Sequence, residues 1–311
     1  MEQNMTLTQA KNPKKKKKKY QWQAFLWMAP AFAMLLVFSY YPPIRAFYDS
    51  FFDVNRFGKT FFVGFGNYKE FLSDKLFWIC VKNTLIFTGV GLIVGNCMTI
   101  FLAELLYNLR SKKLAGIFRI LFIIPILVPS IVTLLIWKFI VFGSNGFVNQ
   151  IIQALGGKPQ MFYWDYNNNF MTKFSIIMTN FPWVAGTSFL IYLAGLQNIP
   201  KSVLEACQLD NCSTMKRIFK IDFPLIAPQL KYFLIMGIIG GIQNFELQLV
   251  IISTEWESSD VLGLYLYNHA FGIGYDLSRF GFASAVGMFI FVITLILTLL
   301  SNMKKKQKAV I

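Results

Sequence analysis

Apolar residues along this 311-residue chain gather into long blocks that carry little or no charge. Six blocks lie near 21–42, 83–107, 118–141, 174–196, 230–253 and 281–302, each about 20 residues or slightly more, the length an α-helix needs to cross a hydrocarbon core. Lipid offers the backbone no hydrogen-bond partner, so only helices satisfy such segments internally. The pattern predicts an all-α polytopic membrane protein with six transmembrane helices. The first block follows a lysine run, as the apolar region of a secretory signal does. It is long for one, and it ends in Tyr40, Tyr41, Pro42 and Pro43 rather than a small-residue cleavage site, so it reads as a retained span.

The polar segments between blocks alternate in charge. Arg110, Lys112, Lys113 and Arg119 separate the second and third blocks; Lys201, Lys216, Arg217 and Lys220 separate the fourth and fifth. The segment before the last block instead carries Glu255, Glu257, Asp260 and Asp276 against Arg279. Positive loops stay inside, so six spans with both termini cytoplasmic, in a bacterial cell membrane, satisfy every loop. The chain divides into a basic tail (1–20), a first span with an outer segment (21–82), a transmembrane core (83–302) holding an unusual cytoplasmic loop (200–228), and a second basic tail (303–311). Residues 143–173 read as turns with a short surface helix.

Composition sharpens this picture. The chain is 55% hydrophobic and only 14% charged, too little charge to cover a soluble surface of this length. The net charge of +15 is concentrated at Lys11, Lys14 to Lys19, Lys304 to Lys306 and Lys308, beside membrane spans. That placement points to anionic membrane lipid as partner, not nucleic acid. Four cysteines lack CxxC spacing and the chain has one histidine, His269, which excludes a zinc site or a disulfide framework. Gly156, Gly157 and Lys158 are followed by Pro159 and do not make a phosphate loop. There is no HExxH and no acid cluster with a base, so the chain is not expected to be an enzyme, to need a cofactor, or to hydrolyse ATP itself.

The loop from Pro200 to Pro228 is too patterned for a linker. Ser202 and Glu205 have capping-box spacing at a helix start. Asp210 and Asn211 follow the helix, and Asn tolerates the left-handed conformation that ends helices. A second helical pattern begins at Ser213 or Thr214, with Pro224 expected to close it. Two readings remain open from pattern alone: an amphipathic hairpin on the lipid surface, or a docking element for a soluble protein.

Polar residues inside spans are costly and mark candidate sites. Gln243, Asn244 and Glu246 interrupt the fifth block beside Phe245, after Gly237, Gly240 and Gly241, which allow close helix approach or a break. Amides bond hydroxyls and rings stack on C–H faces, so this stretch suits a neutral sugar; equally, the amides could bond a neighbouring helix. Glu246 opens a rival, an ion-coupled secondary transporter. It lies roughly 20 Å along the helix from Tyr232, past the midplane, where an acid is cheap. Glu104 and Lys138 read as snorkelling side chains near span ends.

The run from Glu205 to Pro224 resembles the EAA loop of ABC-importer permeases: Glu205, Ala206, Asp210, Ile221 and Pro224 match in identity and spacing. Cys207 and Cys212 stand where alanines are usual, Asn211 replaces a glycine and Phe223 a leucine. Further stretches resemble carbohydrate-type permeases, the group including the maltose and glycerol-phosphate systems: Tyr41 to Ile44, Gly64 to Tyr68, Lys82 to Thr84, Ala194 to Pro200, Tyr267 to Phe271 and Gly281 to Ala285. The Thr-Gly-Gly-Pro usual after the fifth span is replaced by residues 253–257. The resemblance implies a type I importer permease working as half of a pore beside a second homologous permease subunit. It implies two ATPase subunits docked on residues 202–222, which bind the ATP, and an extracytoplasmic solute-binding protein delivering sugar. It also implies sugar contacts at Gln243, Asn244 and Phe245 and near Gly186 and Ser188, with glycerol phosphate as an alternative substrate.

Overall fold

The computed structural model describes residues 19–54, 60–163, 169–179, 181–182, 186–251, 259–273 and 278–302. Most of both lysine tails, residues 253–257 and Asp276 lie outside these. Residues up to Tyr48 form one unit and those from Asp49 onward a second. In the first, helix α1 (Lys19–Leu35) passes through a π turn (Leu36–Tyr40) into α2 (Tyr41–Asp49). Pro42 and Pro43 were expected to end the span. They fall instead directly after the π turn, within an apolar helix that runs on from Phe25 to Asp49.

The second unit begins with a small antiparallel hairpin, β1 (Phe52–Val54) and β2 (Thr60–Phe62), in the register Phe52 opposite Phe62, which the hydrophobic pattern did not predict. Helix α3 (Gly66–Ser73) follows. Asn67, 3% exposed, donates to the carbonyls of Ser50 (2.9 Å) and Phe52 (3.0 Å), and Tyr68 shares a hydrogen bond with Ser50. These bonds hold the hairpin over the final helix.

Helix α4 (Lys75–Tyr107) is the mast of the fold. Asp74 caps it by accepting from the Leu76 amide at 2.9 Å. Its 33 residues extend about 50 Å, well beyond a hydrocarbon core of ~30 Å. Next come α5 (Lys112–Ile123), a tight turn (Ile124–Leu127), α6 (Ser130–Leu135), a π turn (Ile136–Val141), α7 (Phe147–Ala154), α8 (Asn169–Met178) and α9 (Gly186–Gln197). The loop from Pro200 to Pro228 holds α10 (Lys201–Leu209), α11 (Thr214–Arg217), a π turn (Ile218–Asp222) and α12 (Phe223–Leu225). The chain then forms α13 (Ala227–Gln243), α14 (Glu246–Ile251), α15 (Leu262–Phe271) and α16 (Phe280–Asn302).

Four helical segments among the described residues are long and apolar enough to cross a membrane, or five if one bent pair counts as a span. Two of the six blocks are not single straight helices among the described residues. The block near 118–141 bends by 92° between Lys112–Leu127 and Ser130–Val141, where Pro125 and Pro129 remove amides and restrict the residues before them. The block near 174–196 is split into α8 and α9, with Pro182 between them. Glu104 and Lys138 also depart from expectation. Glu104 is 5% exposed and accepts from Asn108; Lys138 donates to the Val250 carbonyl at 2.8 Å. Neither snorkels.

Three apolar clusters organise the second unit. One gathers Phe71, Phe77, Ile242, Tyr265 and Phe282 around the N-terminal end of α4; another gathers Ala103, Phe189, Tyr192, Leu196 and Ile226 at its C-terminal end. The third joins Leu134, Phe142, Tyr163 and Leu247. At the N-terminal end, Tyr265 donates to Asp74 at 2.7 Å, Asn83 donates to the Asp260 carbonyl, and the Leu262 amide donates to Thr84. Arg279 grips Glu70 through two bonds and lies over the Phe282 ring.

Two predictions follow from this packing. Gly281 lies so close to the Phe52 carbonyl that an added Cβ would collide with backbone. Gly281→Ala should cost ~3 kcal/mol or more, at the upper end of overpacking penalties, seen as lost expression and a lower melting temperature. Gly116, with open space at the same atom, should accept alanine without loss. His269 is buried, its Nδ1–H donating to the Tyr265 carbonyl between the Tyr265 and Phe282 rings. Burial is the main cause that holds its pKa below the ordinary 6.5, although Asp74 and Glu70 favour the charged form. The neutral ring therefore contributes stability above pH 6.5 that is lost as pH falls below it. The melting temperature of the wild type should drop more between pH 7.5 and pH 5 than that of His269→Gln.

Candidate functional site

A cavity of about 610 Å³ lies along α4, between that helix and α8, α9, α13 and α14. Helix α4 contributes Thr84, Thr88, Asn96 and Thr99, which recur every three to eight residues and so share one broad face. Ser188 of α9, Asn244 and Gln248 complete the polar lining, and Phe87 and Phe233 supply rings. No charged side chain lines it. Tyr192 donates to Asn96 Oδ1 at 2.7 Å, and the Asn96 amide donates to the Leu92 carbonyl at 2.8 Å, which together fix its orientation.

The expected sugar positions divide. Asn244 and Ser188 line the cavity. Gln243 is exposed and outside the lining. Phe245 is half-buried and packs its ring on Tyr267, with centroids 5.3 Å apart. Gly186 lies outside the lining too; a Cβ added there would come within 3.3 Å of the Phe122 carbonyl oxygen near the end of α5. Reading the fifth block alone missed Thr84, Thr88, Asn96 and Thr99. Their signal was present: small polar residues recurring on one side of an otherwise apolar block.

The fifth span breaks where the glycines and amides suggested. Helix α13 ends at Gln243, Asn244 is extended (ψ 130°), and its Oδ1 accepts from the Glu246 amide at 3.1 Å. Glu246 accepts from Ser130 at 2.7 Å and is outside the cavity lining. Gly241 sits where a Cβ would come within 2.7 Å of Thr88, and Gly237 where one would meet Leu92, whereas Gly240 faces open space.

The loop from Pro200 to Pro228 forms the second candidate site. Pro200 precedes α10 and no side chain caps the helix, so the expected capping box at Ser202 and Glu205 is absent; both side chains are exposed inside the helix. The other end follows the prediction. Asn211 takes the left-handed conformation at φ 52°, the Cys212 amide donates to the Cys207 carbonyl and the Asn211 amide to that of Gln208. This is a Schellman ending, in which the third residue from the helix end meets the second beyond it. Cys207 is buried by that contact and Cys212 half-buried. Ser213 caps α11 by accepting from the Lys216 amide. Pro224, expected to close the helix, instead opens the single turn of α12 after the π turn.

Val203, Leu204 and Phe223 root the loop in the cluster of Leu196, Ile199 and Ile226. Its other face stays free: Glu205, Ala206, Asp210 and Asn211 are exposed, and Leu209 is 88% exposed. Ile221 is half-buried and lines a groove of about 430 Å³ between the arms, with Ala206, Cys207, Asp210, Lys216 and Lys220. A rooted, apolar-tipped hairpin of this kind is suited to insertion into a protein cleft.

Comparison with known proteins agrees with this geometry. A family model described as a binding-protein-dependent transport system inner membrane component matches residues 95–307. The arabinooligosaccharides transport system permease protein AraP of Bacillus subtilis (strain 168) is 32% identical over 281 residues, covering 89% of this chain and 86% of that protein. The sn-glycerol-3-phosphate transport system permease protein UgpA of Yersinia pestis is 27% identical, covering 70% and 72%. A chain in the crystal structure of a bacterial ABC transporter involved in alginate import shares the fold, with a TM-score of 0.79 at 24% identity over 91% of this chain and 95% of that one. The chain is thus a helical, multi-pass transport component and not an enzyme, and it belongs to the family of binding-protein-dependent transport system inner membrane components.

Proposed function

We propose that this chain is one of two pore subunits of an ATP-driven importer for a neutral carbohydrate. The observation that carries the reading is the cavity beside α4, lined by hydroxyls, amides and two phenyl rings with no charged side chain. Hydroxyls and amides exchange hydrogen bonds with sugar hydroxyls, and rings cover the C–H faces. A volume of about 610 Å³ falls within the usual range of small-molecule sites. The arabinooligosaccharide relative supports a sugar. The glycerol-phosphate relative favours an anion, but the charge of a phosphate calls for a cationic partner, and the lining offers no Lys or Arg.

In this reading Glu205, Ala206, Cys207, Asp210, Asn211, Ile221, Phe223 and Pro224 shape the element that docks into an ATPase subunit. ATP is bound there and not by this chain. A second, homologous permease completes the pathway, a solute-binding protein delivers sugar from outside, and six spans leave both termini in the cytoplasm. ATP-driven closure below rocks the spans, so the cavity opens alternately to each side. Glu246 serves as a brace to Ser130 and not as the acid of an ion-coupled carrier.

The test is uptake into proteoliposomes holding the purified complex, with ATP inside and ion gradients collapsed. Labelled arabinooligosaccharide should enter only with ATP, and Glu205→Lys should abolish entry. Asn244→Ala should raise the half-saturating sugar concentration about 5- to 10-fold, the loss of one hydrogen bond of ~1 kcal/mol. Uptake that follows a proton gradient without ATP, or uptake of glycerol 3-phosphate in preference to sugar, would overturn this reading.

A further inference from the structure

The base of the cytoplasmic loop is joined to the mast helix by a chain of polar contacts that the docking surface does not use. Asp222 is fully buried and accepts from Arg217 Nε at 2.9 Å. The same guanidinium donates through Nη2 to Asn108 Oδ1 and lies over the Tyr107 ring. Asn108 in turn donates to the Glu104 carbonyl at 2.8 Å and to Glu104 Oε2 at 3.2 Å. Arg217 and Asp222 belong to the loop; Glu104, Tyr107 and Asn108 are the cytoplasmic end of α4.

Local geometry makes this joint possible. In an α-helix, residues five apart point about 140° away from each other. The π turn from Ile218 to Asp222, closed by the Phe223 amide donating to the Ile218 carbonyl, places Asp222 beneath Arg217 instead. A π turn is an uncommon element that recurs at functional positions. The Arg217–Asp222 pair lies within the loop and fixes the guanidinium, whose Nη2 then reaches across to Asn108 on α4. Sliding the loop relative to α4 would break that hydrogen bond and draw the guanidinium off the Tyr107 ring, so the two elements move together. Helix α4 carries Thr84, Thr88, Asn96 and Thr99 into the cavity.

We infer that Arg217 is a positioning residue for transport, the joint that passes movement of the docked loop to α4 and so to the cavity wall. The inference rests on the proposed docking of an ATPase at this loop. Arg217 touches neither sugar nor ATP; it acts through Asn108.

The experiment measures sugar uptake and ATP hydrolysis together in proteoliposomes holding the whole complex. Asn108→Leu cuts the link and leaves the Arg217–Asp222 pair intact. Arg217→Lys keeps the charge but lacks the fork that reaches two partners at once. Each should lower sugar moved per ATP about 5-fold or more, with the ATPase subunits still co-purifying and basal hydrolysis unchanged. The double variant should lose no more than the worse single one, because both changes cut the same joint. Wild-type stoichiometry in Asn108→Leu, loss of the ATPase subunits from it, or a double-variant loss equal to the product of the singles would overturn the inference. Failure of the wild-type complex to show ATP-dependent uptake would instead sink the proposed function, which separates the two.

Discussion

The crossing of α4 and α13 is the contact on which the rest of the second unit depends. Two helices in lipid gain nothing from hiding apolar surface from water, so they associate by fitting closely. Here the fit is made by absence: Gly237 faces Leu92 and Gly241 faces Thr88, each without room for a Cβ. The glycine spacing of four keeps both on one face of α13. That contact places the polar face of α4 alongside the end of α13, so Thr88, Gly237, Gly241 and Asn244 all border the same cavity. The cavity is thus a consequence of the crossing, opening where α13 stops and α4 continues.

Broken helices in a membrane expose amides and carbonyls that lipid cannot satisfy, and they persist only where protein supplies partners. Two of the breaks among the described residues, the bend before α6 and the end of α13, supply partners to each other. Ser130 begins α6 after the 92° bend, and Glu246 begins α14 after the Asn244 break; the two side chains are bonded at 2.7 Å. Asn244 satisfies the Glu246 amide, and Lys138 beyond the bend satisfies the Val250 carbonyl. The carboxylate also sits at a helix start, where negative charge is favoured. A structural role therefore accounts for an acid that, in sequence alone, invites a coupling role.

What the sequence made legible and what it hid divide along physical lines. The apolar blocks, the left-handed turn at Asn211 and the glycine-rich contact at Gly237 and Gly241 were readable, because each is set by local steric rules or by the lipid. The splitting of two blocks was not, although Pro125, Pro129 and Pro182 stood in plain sight. Hydropathy registers only composition, whereas a bend depends on whether α9 can approach the carbonyl of Phe122, as Gly186 permits. The small hairpin of β1 and β2 was hidden for a similar reason: its anchor is Asn67, 15 residues beyond Phe52. The capping box at Ser202 failed because Pro200 already holds the cap position, leaving Ser202 two residues inside it. The site residues on α4 were missed because three of the four are threonines, small enough to look unremarkable in an apolar run, and Thr84 bonds back to the Cys80 carbonyl of its own helix.

The cytoplasmic loop shows how one short segment meets two opposing demands. A docking element must present free surface, and a transmitting element must not yield when pushed. Exposed Leu209 and Met215 meet the first demand at the tips of the arms. The second is met underneath, by Val203, Leu204 and Phe223 set into the apolar cluster and by the hydrogen-bonded turn at Asn211. Apolar packing alone resists separation better than sliding, since it is non-directional. Directional contacts resist sliding, and the Arg217 fork is the most directional contact between loop and mast that the described residues contain. The buried Asp222 holds the guanidinium from within the loop, so its place in the fold is explained by the aim it gives Arg217 toward Asn108 and the Tyr107 ring on α4.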